Sequence, residues 1–278
     1  MMSGAMLIQT EGWQVALLAL LSLAIAALAY RRRSLSASGA VTAFIVATVM
    51  AAAGGVIYFA ALMAFFLSST AITKIGHEKK EEVEKLYPRN DVRDHVQVLA
   101  NGGAAFIISL LSFYVKEKAL VTALFSSLAA ANADTWASEI GVLSKKLPVS
   151  ILTWKPVRKG LSGGVTVLGF AASLAGSVFM ALLYLAIASK WASFPSPFVD
   201  MGVIVLAGLF GSLLDSVLGD ACQAKYKDAA TGELTEKPSR AGVSNRLVRG
   251  LSFINNDLVN FLTSGLSGLL AFLLASVM

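Results

Sequence analysis

The chain has 278 residues, 56% of them apolar and only 14% charged, with a mean hydropathy of +0.70. Soluble domains carry about a quarter charged residues, so this composition excludes an ordinary water-soluble enzyme and predicts an all-α polytopic membrane helix bundle, one integral domain over 1–278. The 23 Lys and Arg outnumber 17 Asp and Glu, and the single cysteine, Cys222, excludes an internal disulfide or a cysteine-only metal site.

Long apolar runs define eight candidate spans: 13–30, 36–53, 55–73, 97–115, 119–137, 163–189, 198–219 and 256–277. The second and third form one 38-residue apolar stretch. As a single helix it would be about 55 Å long, nearly twice the hydrocarbon thickness, so a break at Gly54-Gly55 is expected to make a hairpin. The first run is followed directly by Arg31-Arg32-Arg33 and preceded by no Lys or Arg. That is the charge order of a span whose N-terminus is outside, not of a secretory signal. No Arg-rich transit peptide is visible, and a bacterial or archaeal plasma membrane is the simplest setting.

Counting Lys and Arg on alternating sides tests this topology. The 31–33 cluster and loops 74–96, 138–162 and 220–255 hold 20 of the 23, leaving Lys116, Lys118 and Lys190 for the other side. These loops are therefore expected to be cytoplasmic, with both termini outside. Most of the positive charge is then topological, and nucleic acid is not implied as a partner.

A charge near the centre of a span costs about 2.5–3.5 kcal/mol, so polar groups inside spans tend to mark function. They gather at cytoplasmic span ends: Ser68 to Lys74, Asn101 to Gly103, Asn132 to Glu139, Ser162 to Thr166, Ser212 to Asp220 and Asn255 to Asn260. Two of these clusters share a pattern, Asp134-Thr135 followed by Glu139 and Asp215-Ser216 followed by Asp220. Carboxylates of this kind suit Mg²⁺, which takes oxygen ligands and keeps waters and substrate phosphates. The candidate metal ligands are Asp134, Asp215, Glu139, Asp220, Asp257 and Asn132. Positions five apart lie about 140° apart on a helix, so both acids of a cluster reach one ion only if the helix ends between them.

The stretch Lys155-Pro156-Val157-Arg158-Lys159-Gly160-Leu161-Ser162-Gly163-Gly164 is basic, glycine-rich and enters a span. Backbone N–H groups at a helix start bind anions, and glycines let phosphate approach closely. It is not a Walker loop. Candidate phosphate-binding groups are Lys74, Asn101, Lys155, Arg158, Ser162, Gly163, Gly164 and Asn256, with Lys159 beside Asp134 and Asp215 as the catalytic set. The small residues Gly169, Ser173, Gly176, Gly208 and Ser212 have the spacing of packed membrane helices. His77 to Glu84 reads as a solvated helix extension, and Tyr226 to Pro238 as a short hairpin or loop.

The segment from Ala131 to Gly141, together with Gly160 to Gly169, Gly211 to Asp220 and Asn255-Asn256-Asp257, resembles the integral-membrane family that includes plant phytyl-phosphate kinases. The likeness extends to Phe65-Phe66, Ser68, Ser69, Lys74 and Gly76, and to Gln97 through Gly103. The spacing Asp134, Ala137, Gly141 also resembles the G-D-x-x-A-x-x-x-G motif of CTP-dependent dolichol kinases and phosphatidate cytidylyltransferases, with Ala133 replacing the first glycine. The resemblance implies a CTP-type nucleotide donor and an isoprenoid phosphate acceptor. The expected activity is an Mg²⁺-dependent prenyl-phosphate kinase. A prenol kinase, a cytidylyltransferase and an ion or solute transporter are the rivals, while a prenyltransferase is disfavoured because Asn255-Asn256-Asp257 lacks the N-D-x-x-D acids.

Overall fold

The computed structural model describes residues 11–75, 92–188, 196–240 and 242–278. Among these residues seven helices form: α1 (Gly12–Arg31), α2 (Ala37–Thr73), α3 (His95–Leu111), α4 (Ala119–Gly141), α5 (Val167–Ala188), α6 (Pro197–Ala221) and α7 (Asn256–Val277). Five of them, α1, α2, α5, α6 and α7, are long and apolar enough to cross a membrane, so the chain is a polytopic helical membrane protein but does not present eight separate helices. The reading of His77 to Glu84, together with Gly76 and Lys190, lies outside the described residues.

The difference in count starts at Gly54-Gly55. Helix α2 is two helical arms joined at a kink, where Gly54 (φ −139°, ψ 17°) and Gly55 (φ 58°, ψ −145°) leave helical geometry. Gly55 sits where side chains are strained and glycine is not. The two arms fold back on each other: Ala43, Val46 and Ala47 share one groove with Leu62, Met63, Phe65 and Phe66. On a straight helix Ala43 and Phe66 would be about 35 Å apart. The turn meets the α3–α4 connection, where the Tyr58 and Ser112 hydroxyls lie 2.8 Å apart.

Helix α4 is the axis of the bundle, buried from Ala119 to Ala133 and packed against α2, α3, α5, α6 and α7. Its Ala, Ser, Thr and Asn content keeps it below the apolarity of a lipid-facing span, because its neighbours shield it. Small residues permit close approach there: Gly169 and Gly176 of α5 back onto the α4 backbone, and Gly208 and Gly211 of α6 onto Ala129 and Ala130. The helix also runs past the expected end at 137, through Asp134 and Glu139 to Gly141.

Helix starts at one face are set by caps. Ser36 accepts from Gly39 N at 3.1 Å, Asp94 from Gln97 N at 3.0 Å and Asn255 from Leu258 N at 2.9 Å. Satisfying such orphan N–H groups is worth about 1 kcal/mol each. The same face carries small antiparallel sheets, a departure from a purely α architecture. Strands β1 (Val149–Ser150) and β2 (Gly164–Val165) pair, so α5 begins at Val167 rather than 163. Strand β3 (Lys225–Lys227) lies between β4 (Leu234–Thr235) and β7 (Arg246–Arg249), and β5 (Ser239–Arg240) pairs with β6 (Val243–Ser244). The expected hairpin over Tyr226 to Pro238 is therefore present as β3 and β4, with Tyr226 opposite Thr235.

Candidate functional site

The basic loops meet at one end of the bundle. Ser36 N donates to Arg93 O at 3.0 Å, joining the α1–α2 turn to the approach to α3. Asp94 and Asp257 are electrostatic neighbours, which places the start of α3 beside the start of α7. The 142–166 and 222–255 connections are tied together at the ends of α4 and α6.

Asp220, near the end of α6, is the centre of that tie. Its carboxylate accepts from the Ser150 hydroxyl and from Leu152 N at 3.4 Å, and it pairs with Arg249 at 3.2 Å and Lys225 at 3.5 Å. Gly163 (φ 86°) packs directly on Asp220, where any Cβ would collide with it. At this position both conformation and space demand glycine.

The acids that face each other come from different helices. Asp215 of α6 is buried and lies within electrostatic reach of Asp134 of α4 and of Glu236; Thr263 of α7 is beside it, with its hydroxyl donating to Asn260 O at 3.2 Å. Among the described residues Asp215 Oδ2 has no hydrogen-bond partner, and neither does the buried Asn260 Oδ1 one turn before Thr263. A buried polar atom without a partner costs about 1–3 kcal/mol, and these two oxygens keep acceptor capacity that the described residues leave unused.

The remaining expected ligands diverge. Because α4 and α6 stay helical through Gly141 and Ala221, Glu139 is rotated about 140° from Asp134, and Asp220 likewise from Asp215. The helix does not unwind between them, so neither sequence cluster forms a site by itself. Asn132 is fully buried and spent on helix packing: its Oδ1 accepts from Ser68 at 2.9 Å and Ser69 at 3.3 Å, and its Nδ2 donates to Gly176 O at 3.0 Å. Two residues before Asp134 on a helix, it faces nearly the opposite way. Asp257 has Asp94 as its acidic neighbour. Among the described residues, no three or more His, Cys, Asp or Glu are grouped to hold a metal ion.

The basic candidates are also mostly engaged. Lys159 caps α4, donating to Val142 O at 3.0 Å and Ser144 O at 2.5 Å. Arg158 pairs with Glu233 at 2.8 Å and holds that carboxyl below its usual range. Lys155 and Lys74 are exposed, and Asn256 is exposed at the first position of α7. Asn101 donates to Gln97 O of its own helix at 3.0 Å and lines a groove between α1, α2 and α3.

That groove spans about 660 Å³ including its open mouth and is walled by apolar side chains such as Ile25, Val46, Leu62 and Phe66. Arg93, Gln97 and Asn101 line it as well, and Arg93 and Gln97 belong to the basic face.

Sequence reasoning missed the groups nearest the glycine-rich turn. Glu236 accepts from Ser162 N at 2.7 Å and from Gln223 Nε2 at 2.9 Å. Lys225 donates to Ser162 O at 3.0 Å; its burial pushes the ammonium pKa down, against the upward pull of Asp220. Nothing local in 223–236 announces these roles. Thr263 was legible, since Asn260, Thr263 and Ser267 recur at helical spacing.

The family described as Integral membrane protein DUF92 matches residues 20–268. Protein PGR of Arabidopsis thaliana is 35% identical over 263 residues, covering 88% of this chain and 90% of its own. Protein VTE6, chloroplastic, of the same plant is 28% identical over 245 residues, 86% of this chain and 65% of its own. The uncharacterized membrane protein MJ0933 of Methanocaldococcus jannaschii is 29% identical over 199 residues, 70% of this chain and 77% of its own. No solved structure matches the chain. The resemblance read from the motifs is borne out at the level of the family: the chain belongs to the DUF92 integral membrane proteins.

Proposed function

We propose that the protein is a phosphotransferase moving a phosphoryl group from a nucleotide of the CTP type to a prenyl monophosphate, such as phytyl or geranylgeranyl phosphate, giving the diphosphate. The observation that carries this reading is the pair Asp134 and Asp215, brought together from two helices at the basic face with Asp215 Oδ2 and Asn260 Oδ1 lacking partners. Mg²⁺ usually takes only one or two protein carboxylates and fills its shell with waters and substrate phosphates, so this donor set fits it. Bound there, the ion would neutralise charge on the donor phosphates.

In the proposed reaction an acceptor phosphate oxygen attacks the γ-phosphorus, the new P–O bond forms, and the bond to the β-phosphate oxygen breaks, releasing the nucleoside diphosphate. The acceptor is already anionic near pH 7, so no general base is needed, in keeping with the absence of histidine from the site. Phosphoryl transfer depends mainly on positioning and electrostatics. Here Asp134 and Asp215 would hold the donor's counter-ion, Thr263 stands beside Asp215, and Lys225 with the Ser162 and Gln223 N–H groups is assigned to the phosphate side. The prenyl chain is assigned to the apolar groove between α1, α2 and α3.

In this reading the two arms of α2 are separate crossings, giving eight passes, both termini outside and the site facing the cytoplasm of a bacterial or archaeal cell. The basic loops at one end support it. A transporter would instead be expected to place its ionisable groups near the midplane. The experiment is to incubate the purified protein with Mg²⁺, prenyl phosphates and CTP labelled at the γ- or α-phosphate. The γ label entering a lipid diphosphate is the expected result. The α label entering lipid with pyrophosphate released would replace the kinase by a cytidylyltransferase.

A further inference from the structure

Glu236 makes an unusual pair of contacts for a loop carboxylate. One oxygen takes the Ser162 backbone N–H at 2.7 Å and the other takes the Gln223 amide at 2.9 Å, while Lys225 attracts it. Gln223 and Lys225 are both almost fully buried, at 2% and 6% exposure. Donors of this kind, with a backbone N–H at a glycine-rich turn among them, make a seat for an anion with two oxygens to offer. Yet the occupant is repelled by Asp215. The seat suits an anion that arrives with its own cation better than it suits a bare carboxylate.

The segment carrying Glu236 is tied to other loops and strands of the same face: Asn245 takes Ala229 N–H and donates to Pro238 O and Lys237 O, and Thr235 pairs with Tyr226. Of its ion pairs, Arg158 to Glu233 is exposed on the arginine side, at 52%, and contributes little, while Arg240 reaches a buried Asp228 that is held inside the segment by Ala230 and Thr231 N–H. Glu236 itself follows β4, a strand of only two residues at the edge of its sheet. These ties end in loops and short strands rather than in helices, so the segment can shift without breaking the bundle.

We propose that Glu236 is a built-in occupant of a phosphate seat formed by the Ser162 N–H, Gln223 and Lys225, and that a phosphate group of the substrate displaces it, moving the 228–240 segment away. This rests on the phosphotransferase reading for the identity of the physiological ligand, but the seat itself binds phosphate whichever reaction follows. The occupied seat lowers apparent affinity by the fraction of time Glu236 fills it, which makes the segment an autoinhibitory latch.

The test is pyrophosphate binding by isothermal titration to the full chain in detergent, with and without Mg²⁺, for the wild type, Glu236→Ala and Glu236→Gln. Removing the occupant is expected to tighten pyrophosphate binding about tenfold in Glu236→Ala, with a smaller gain in Glu236→Gln, whose amide oxygen still accepts. In the wild type, pyrophosphate is expected to speed hydrogen exchange across 228–240. Unchanged affinity in both variants, with cooperative melting retained, overturns the proposal. So does weaker binding, which would make Glu236 a ligand for the cation or the phosphate. Failure of the kinase reading shows separately, as tighter pyrophosphate binding in the variants of a protein that transfers no label to prenyl phosphates.

Discussion

Asn132 and Asp134 are separated by one residue and carry different burdens. The Asn132 amide joins the second arm of α2 and α5 to α4 through Ser68, Ser69 and Gly176. Interhelical hydrogen bonds in membranes average about 0.6 kcal/mol, so Asn132→Ala is expected to cost about 1 kcal/mol for the set. The Mg²⁺ concentration for half-maximal turnover should not change. Asp134→Asn should behave the other way, with small loss of stability and a large rise in Mg²⁺ requirement. Thermal melts in detergent and an Mg²⁺ titration separate the two, and a raised Mg²⁺ requirement in Asn132→Ala would return it to the site. The sequence could not make this distinction. Both residues are polar positions in one apolar run, and only their rotation on α4, about 200° apart, separates packing from chemistry.

At the scale of elements, sequence legibility followed local physics. Apolar length fixed the position of most helices, and the Gly54-Gly55 break follows from a stretch too long for one crossing. The residue that makes the reversal is Gly55, whose φ of 58° and ψ of −145° are open essentially to glycine alone. Gly55→Ala is therefore expected to destabilise the protein by about 1–3 kcal/mol, read as a lowered melting temperature, and an unchanged melt would contradict that account of the turn. The groove between α1, α2 and α3 gives a second expectation. A Cβ on Gly102 meets nothing nearer than Leu62 at 4.0 Å, so Gly102→Leu projects into groove space with little disturbance of packing. It should raise KM for the prenyl phosphate several-fold while leaving KM for the nucleotide unchanged. Equal effects on both would remove the prenyl chain from the groove. The paired strands around Asp220 were not foreseen, because segments of two to four residues carry no periodic signal.

Across the whole molecule, the charge asymmetry read from sequence and the convergence seen in the structure describe the same face. The sequence pointed to helix ends, and the structure shows which of the polar groups there are already engaged by protein. The sequence set Asp134 and Asp215 together and added Glu139 and Asp220 from the same two clusters; the bundle brings Asp215 within electrostatic reach of Asp134 across α4 and α6, and gives Asp220 to Arg249 and Lys225. Tertiary packing alone contains that information. It also explains why the basic stretch is less available than it looked, with Lys159 and Arg158 already engaged. The central claim is that the inter-helical acid pair serves phosphoryl transfer to a lipid phosphate. The most direct measurement is label transfer from γ-labelled CTP to geranylgeranyl or phytyl phosphate by the wild type, Asp134→Asn and Asp215→Asn, each checked for cooperative melting. The account predicts Mg²⁺-dependent lipid diphosphate in the wild type and a loss of about 100-fold or more in each variant. Full turnover in either folded variant, or none by the wild type with any prenyl phosphate, would contradict it.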